Sequence, residues 1–410
     1  MFLNKLKRIN NNHITTIFKG NFISKFVLVI GGLLLAKYYG SSEYGVYSIY
    51  LSIMGIFSIV LGLAQEHQIM LEGNDEDISN NFSASAVISL AVTLISFLLV
   101  FIPFSIPKDI LFLGIFSGFI YLLTNNAKFL LAKKKLFKLV SVLTITDSVI
   151  SFLFQVVFVF FKIENGLIIG SLIGFIAAFI AAFYYSGKYF VKPDFKRYFA
   201  NARTRPEIFK YTYPSTLINA LGNNIMPILI SLYFIDSLLG VYSLAVKIMS
   251  VPLLMISSSI ATVYYPKAAE IYNQGKPKAE LFAYTKKMSL MNFYIIFALY
   301  VLINVVGVPL LQLFFNKNWE HLGLFIFLMS FGYLTRSLIN PISDILLIVK
   351  KSNVALVFNI YLFLANIAAI FIGKEKGIVY LVGIFSLLLF LGYGFLYFYI
   401  MFILRKNESD

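Results

Sequence analysis

Runs of about twenty apolar residues with almost no charge inside them follow one another along the whole chain. About 20 such residues in a helix cross the ~30 Å hydrocarbon layer of a bilayer. In lipid every backbone N–H and C=O must be paired within the protein, and a run of this length without alternating polarity does that only as a helix. The expected fold is therefore an all-α integral membrane protein. Composition closes off the soluble reading: 59% of residues are hydrophobic and only 13% charged, against about 45–50% and about 25% for a soluble domain. About twelve transmembrane helices are expected, near 15–38, 44–65, 82–103, 110–132, 139–161, 166–187, 208–234, 240–264, 290–315, 321–349, 354–372 and 378–404.

The chain repeats itself. Gly45-Val46-Tyr47-Ser48 is followed by Ile53-Met54, and Gly240-Val241-Tyr242-Ser243 by Ile248-Met249, an offset of 195 residues from Gly45 to Gly240. Duplication on this scale predicts two six-helix bundles with a substrate path between them. The expected divisions are an N-terminal bundle over 1–187, a basic cytoplasmic linker over 188–207 and a C-terminal bundle over 208–410.

Loop charge gives the orientation. Lys37, Lys108, Lys162, Lys317, Lys374 and Lys376 fall in the short connections of one side, while most other Lys and Arg cluster on the opposite side, in the 133–138, 188–207, 265–289 and 350–353 connections and near both ends. The excess marks the cytoplasmic side, so both termini are expected there. This placement accounts for the net charge of +15 and argues against nucleic acid as a partner. Trp319 and many Tyr lie near expected span ends, as an interfacial belt would place them. With no signal peptide visible and no cysteine, a secreted disulfide framework is not expected.

Ionisable residues inside spans are costly, so each is a functional candidate. Lys25 lies near the middle of the first span, Asp147 of the fifth and Arg336 of the tenth; Lys247 sits about two turns into the eighth. Lys25, Lys247 and Arg336 are candidate cations for an anionic head group such as a diphosphate. Asp147 and Asp344 are candidates for ion coupling or charge pairing, Asp147 with Lys25 in particular. Asn219 and Asn223, Asn340, and Ser148 with Ser151 fall on polar stripes that must face other helices or a wet cavity. Pro227, Pro252 and Pro341 interrupt spans.

Enzyme signals fail. Gly187-Lys188, Gly275-Lys276 and Gly373-Lys374 lack the hydroxyl that follows in a phosphate loop. His13, His67 and His321 lie in loops or at span ends, away from any intramembrane acyltransferase site. Asp75-Glu76-Asp77 has the composition of a metal-holding carboxylate pair, but its loop is too short for a nucleotide domain, so it reads as a solvated acidic turn. No metal site is expected, and neither is a catalytic residue.

Leu35-Ala36-Lys37-Tyr38-Tyr39-Gly40-Ser41-Ser42-Glu43-Tyr44-Gly45-Val46-Tyr47 resembles the turn after the first helix of polysaccharide flippases, and Phe209–Pro214 followed by Leu239–Lys247 resembles the start of their second half. Tyr265-Pro266-Lys267-Ala268-Ala269 fits the same pattern. The family is the Wzx-type oligosaccharide flippase branch of the multidrug/oligosaccharidyl-lipid/polysaccharide exporter superfamily. The resemblance implies a V-shaped, alternating-access transporter that carries undecaprenyl-pyrophosphate-linked repeat units of O-antigen, capsule or another surface polysaccharide across the inner membrane. It implies no bound cofactor, a proton or Na⁺ gradient as driving force, membrane lipid as surroundings, and the polysaccharide polymerase and chain-length regulator as partners. A peptidoglycan-precursor flippase and a multidrug antiporter are the alternatives within the superfamily, and a membrane polysaccharide polymerase outside it. Met226 stands where many members carry an acidic residue, and Gln65-Glu66-His67-Gln68 where many carry an Arg.

Overall fold

The computed structural model describes residues 24–274 and 278–405, all of them helix or short connection. In chain order the helices are α1 (Ser24–Val60), α2 (Gln65–Leu71), α3 (Asp75–Ser96), α4 (Lys108–Lys133), α5 (Phe137–Phe160), α6 (Gly166–Ser186), α7 (Phe195–Arg203) and α8 (Tyr213–Ser231). They continue as α9 (Asp236–Asn273), α10 (Lys278–Leu302), α11 (Val308–Phe314), α12 (Leu322–Ile339), α13 (Ile345–Ile348), α14 (Ser352–Gly373) and α15 (Ile378–Arg405). Cytoplasmic placement of the termini is an expectation that falls on residues outside those described.

Among the described residues ten helices are long and apolar enough to cross a membrane. Every segment expected as a span is mainly helical where it is described, and the two counts differ for physical reasons. Helix α1 holds two expected spans in one element, divided at Gly40, whose φ of 83° and ψ of 170° leave the helical region. A side chain there would be strained, so glycine is what lets the chain turn without a loop. Helix α8, at the seventh expected span, carries Asn219, Asn223 and Asn224 in 19 residues and is not among the ten. The tenth span is broken: α12 ends at Ile339, Asn340–Ile342 form a 3₁₀ turn around Pro341, and α13 follows. Proline removes one backbone donor and crowds the preceding turn, which accounts for the break. Conversely, α9 runs 38 residues through Pro252 and Pro266, so the connection expected over 265–289 is two helix extensions wherever it is described.

Packing divides the chain into two compact units, one comprising the described residues 24–39 and 46–224, the other Gly40–Gly45 and 225–405. The boundary falls inside α8, and the segment expected as a linker, 188–207, folds within the first unit.

In the first unit α5 and α6 pack through a glycine ladder. A Cβ on Gly170 would lie 2.8 Å from the Gln155 backbone nitrogen, and one on Gly174 2.8 Å from the Asp147 carbonyl oxygen. Gly166 repeats the spacing one turn earlier, against Tyr39 and Phe158. Small residues every fourth position let helix backbones meet where lipid supplies no hydrophobic drive.

The second unit has its own close crossing. A Cβ on Gly45 would strike the carbonyl oxygen of Asp236, and one on Gly240 that of Ser41. Ser41 and Asp236 each precede their glycine by four residues, so the repeated motif meets its own copy in a reciprocal contact.

Candidate functional site

The acidic segment 66–77 is structured rather than a free turn. Asn74 is extended and caps α3, its side chain accepting from the Glu76 N–H at 3.0 Å. Asp75, Glu76 and Asp77 fill the first turn, where carboxylates complement the helix dipole. Each has a basic partner: Lys134 on Asp75 at 2.6 Å, and Arg197 on Glu76 at 3.2 Å and on Asp77 at 2.5 Å. These hydrogen bonds hold the Arg197 guanidinium above its ordinary value. Arg205 donates to Glu72 at 2.6 Å, and Asn81 donates to the same oxygen at 3.1 Å. Asp194 caps α7 through the Arg197 N–H at 3.1 Å. Tyr198 is buried on the inner face of α7, and burial pushes its phenol up to about 12. Glu72, Glu76 and Asp77 of the acidic segment are thus counter-charges of Arg197 and Arg205 in the basic 188–207 connection.

Asp147 lies on α5, half-buried, and the charge that faces it is Lys128 on α4 rather than Lys25. Helical side chains lean toward the N-terminus of their own helix. Helices α4 and α5 are joined by the short turn 134–136 and run oppositely, so Lys128 and Asp147 lean toward each other's level. Lys128 also stands 6.0 Å from the Tyr121 ring. Lys25 is half-buried and makes no hydrogen bond or ion pair with a described residue. Ser148 bonds back to the Thr144 carbonyl at 3.1 Å, and Ser151 packs on Gly174. The rest of that stripe is also occupied: the Gln155 amide donates to Ser171 at 2.9 Å and to the Leu167 carbonyl at 2.8 Å, while the Tyr39 hydroxyl donates to the Gln155 carbonyl at 2.7 Å. The Ser151–Gln155 edge of the stripe is therefore committed to helix packing. On α8, Asn219 and Asn223 are exposed and bonded to each other.

In the second unit Arg336 is half-buried among tyrosines, its guanidinium carbon 5.8 Å from the Tyr333 ring centre and 5.7 Å from that of Tyr393. The phenol of Tyr300 lies within its field and is fixed by donation to the Met249 carbonyl at 2.8 Å. Beyond α12, Asn340 has a buried amide nitrogen without a partner among the described residues. The helix break at Pro341 leaves Asp344 exposed. Lys247 donates to the Tyr44 hydroxyl at 3.2 Å, with its ammonium 5.7 Å from that ring centre. Arg336 and Lys247 therefore have different immediate partners.

Lys128 was missed by sequence reasoning although it stands inside an expected span, where any ionisable residue is a candidate. Tyr333, three residues before Arg336, was visible as a helical neighbour, whereas Tyr300 and Tyr393 reach it only through tertiary packing.

A family model described as polysaccharide biosynthesis protein matches residues 34–323. None of the curated proteins matches the sequence significantly. Among solved structures, the lipid II flippase MurJ in an inward closed conformation superposes with a TM-score of 0.72 at 16% identity, covering 94% of this chain and 87% of that one. An inward-facing multidrug-resistance transporter of the MATE family superposes with a TM-score of 0.68 at 13% identity, covering 96% of both chains. The MATE multidrug transporter DinF-BH gives 0.64 at 15% identity, covering 97% and 95%. At these identities the likeness is one of fold, and it is the fold that the two-bundle resemblance implies.

Proposed function

The chain belongs to the polysaccharide biosynthesis protein family, and from that premise we propose that it is a flippase for polyprenyl-diphosphate-linked oligosaccharides. It moves repeat units of a surface polysaccharide, O-antigen or capsule in kind, from the cytoplasmic to the outer leaflet of the cell membrane. The observation that carries the reading beyond the family is Arg336, a guanidinium in the last turn of α12 packed beside the Tyr333 and Tyr393 rings. A guanidinium presents a planar fork of N–H donors that matches the oxygens of a diphosphate. Lys247 is a second candidate cation in the same unit, and Lys25 is the candidate cation of the first unit. Asn340 in the second unit, and Asn219, Asn223 and Ser148 in the first, are the candidate hydrogen-bonding groups for sugar hydroxyls.

Asp147, facing Lys128, is the group we assign to proton or Na⁺ coupling. Asp344, exposed at the α12 break, is a secondary candidate. The lysine-rich connections set both termini in the cytoplasm. The chain performs no bond chemistry on its substrate, and the polymerase and chain-length regulator of the same polysaccharide act after it.

Deletion of the protein in its own cell, followed by leaflet-resolved assay of lipid-linked repeat units, tests the reading. Complete units accumulating on the inner leaflet, with surface polymer lost, are the expected result. Units that reach the outer face but stay unpolymerised would identify a polymerase. Altered drug resistance with an intact surface glycan would identify a drug exporter.

A further inference from the structure

A cavity of about 480 Å³ lies within the second unit, where α11, the 3₁₀ turn Lys317–Trp319 and the start of α12 meet. Its volume is in the range of small-molecule sites, with room for one or two sugar rings. Two kinds of residue line it. Phe315 and Trp319 are buried and packed on each other, ring centres 4.9 Å apart, and Trp319 also meets Tyr44 edge-on at 6.0 Å. Gln312, Lys317 and Glu320 are exposed at the rim, and none of the three side chains makes a hydrogen bond or ion pair with a described residue. Asn316 caps the 3₁₀ turn through its oxygen, accepting from the Asn318 N–H at 3.2 Å, which leaves its amide nitrogen as a donor.

Local geometry makes this corner. The backbone widens into a π turn over Ile303–Gly307 immediately before α11, and such bulges recur at functional sites. The next helix is only seven residues long, and the chain folds back at Phe315–Asn316. Val308 and Gln312 are thereby set against Gly323, where the Val308 side chain leaves no space for a Cβ.

We propose that this cavity binds the carbohydrate of the transported lipid-linked unit, as a docking site separate from Arg336. A pyranose has an apolar C–H face and a rim of hydroxyls, which the apolar floor and polar rim match. The rim supplies both acceptors and donors: the Glu320 carboxylate accepts, Lys317 and Asn316 donate, and the Gln312 amide does both. Lys317 and Glu320 cancel in charge, which suits a neutral or zwitterionic sugar and does not favour a lone phosphate. The connection holding Lys317 belongs to the Lys-poor side of the chain, so the site faces outward and holds the glycan as the head group arrives there. The assignment rests on the flippase reading.

Trp319 is the only tryptophan of the chain, so its emission reports this cavity alone. The experiment titrates full-length protein in nanodiscs with the oligosaccharide released by mild acid from the cell's own lipid-linked pool. A saturable change in Trp emission is expected, its midpoint raised at least tenfold in Gln312→Ala and in Glu320→Gln, with unchanged melting temperature in both. No response to the glycan, or a response to phosphoethanolamine in its place, overturns the proposal; the second result would make the cavity a lipid head-group site. Flux of lipid-linked units in proteoliposomes separates this outcome from that of the parent reading. Flux without a glycan response sinks the cavity alone, and a glycan response without flux sinks the flippase reading.

Discussion

In the first unit charges meet opposite charges: Arg205 on Glu72 at 2.6 Å, Arg197 on Asp77 at 2.5 Å, Lys128 facing Asp147. In the second, the two cations named as site candidates lie against tyrosine rings, Arg336 beside Tyr333 and Tyr393, Lys247 beside Tyr44. An ion pair satisfies both partners and shields their fields, whereas a ring stabilises a cation through its quadrupole. The difference is one of partner type: the ion pairs of the first unit hold segments together, and the two candidate cations of the second pack on aromatic rings. Backbone packing shows a related contrast. The glycine ladder of α5 and α6 meets side chains as well as backbone, while the Gly45–Gly240 crossing meets carbonyl oxygens.

The largest effect is expected where the obstacle cannot move. Gly240→Leu drives a side chain into the Ser41 carbonyl, and overpacking of this kind costs about 3 kcal/mol or more. Size-exclusion chromatography in detergent is expected to show loss of the monodisperse peak. Gly31→Ala in the first unit meets only the Phe152 ring, which can rotate, and is expected to retain the peak. Equal behaviour of the two variants would break the contrast between the units.

Arg205→Ala comes next. It leaves Glu72, only 7% exposed, with Asn81 as its remaining donor. A buried carboxylate deprived of its cation costs about 2–3 kcal/mol. A fall of several degrees in melting temperature is expected, recovered in Arg205→Ala/Glu72→Gln. Absence of recovery would mean that Arg205 acts through packing rather than charge.

Arg336→Gln is expected to leave folding nearly intact and to lower flux of lipid-linked units about 10- to 30-fold, the equivalent of about 1.4–2 kcal/mol of lost cation attraction. Arg336→Lys keeps the charge without the planar fork and is expected to fall between. Full flux in the Gln variant would remove the basis for assigning Arg336 to the head group.

How much of this was legible beforehand follows from the range of each signal. Hydrophobic runs and loop charge are local, so spans and an all-helical fold could be read directly, and Arg336 and Asp147 stood out as candidates because lipid makes charge rare. The repeat at Gly45 and Gly240 was legible as a pattern, but its meaning as a contact was not, since sequence does not say which copy touches which. The partner of Asp147 was misassigned to Lys25 because depth was judged by span position alone, without the lean of side chains that brings Lys128 to the same level. The acidic segment read as a solvated turn because its partners, Arg197 and Arg205, lie more than a hundred residues away. The Trp319 cavity depends on a π turn, which apolar periodicity does not reveal.

The smallest expected effect separates two contributions at Lys247. Tyr44→Phe removes the hydroxyl that accepts from Lys247 at 3.2 Å but keeps the ring under the ammonium and against Trp319. A single neutral acceptor of this kind contributes about 0.5–1.5 kcal/mol, so the melting temperature is expected to fall by only a few degrees. Tyr44→Leu removes the ring too and is expected to cost more, with a shift in Trp319 emission that the Phe variant does not give. If ring contact holds the cation, as the contrast between the units requires, most of the loss appears only on going from Phe to Leu. If Tyr44→Phe already accounts for the whole loss, Lys247 is held by a hydrogen bond, and the second unit's treatment of charge is less distinct from the first than its rings suggest.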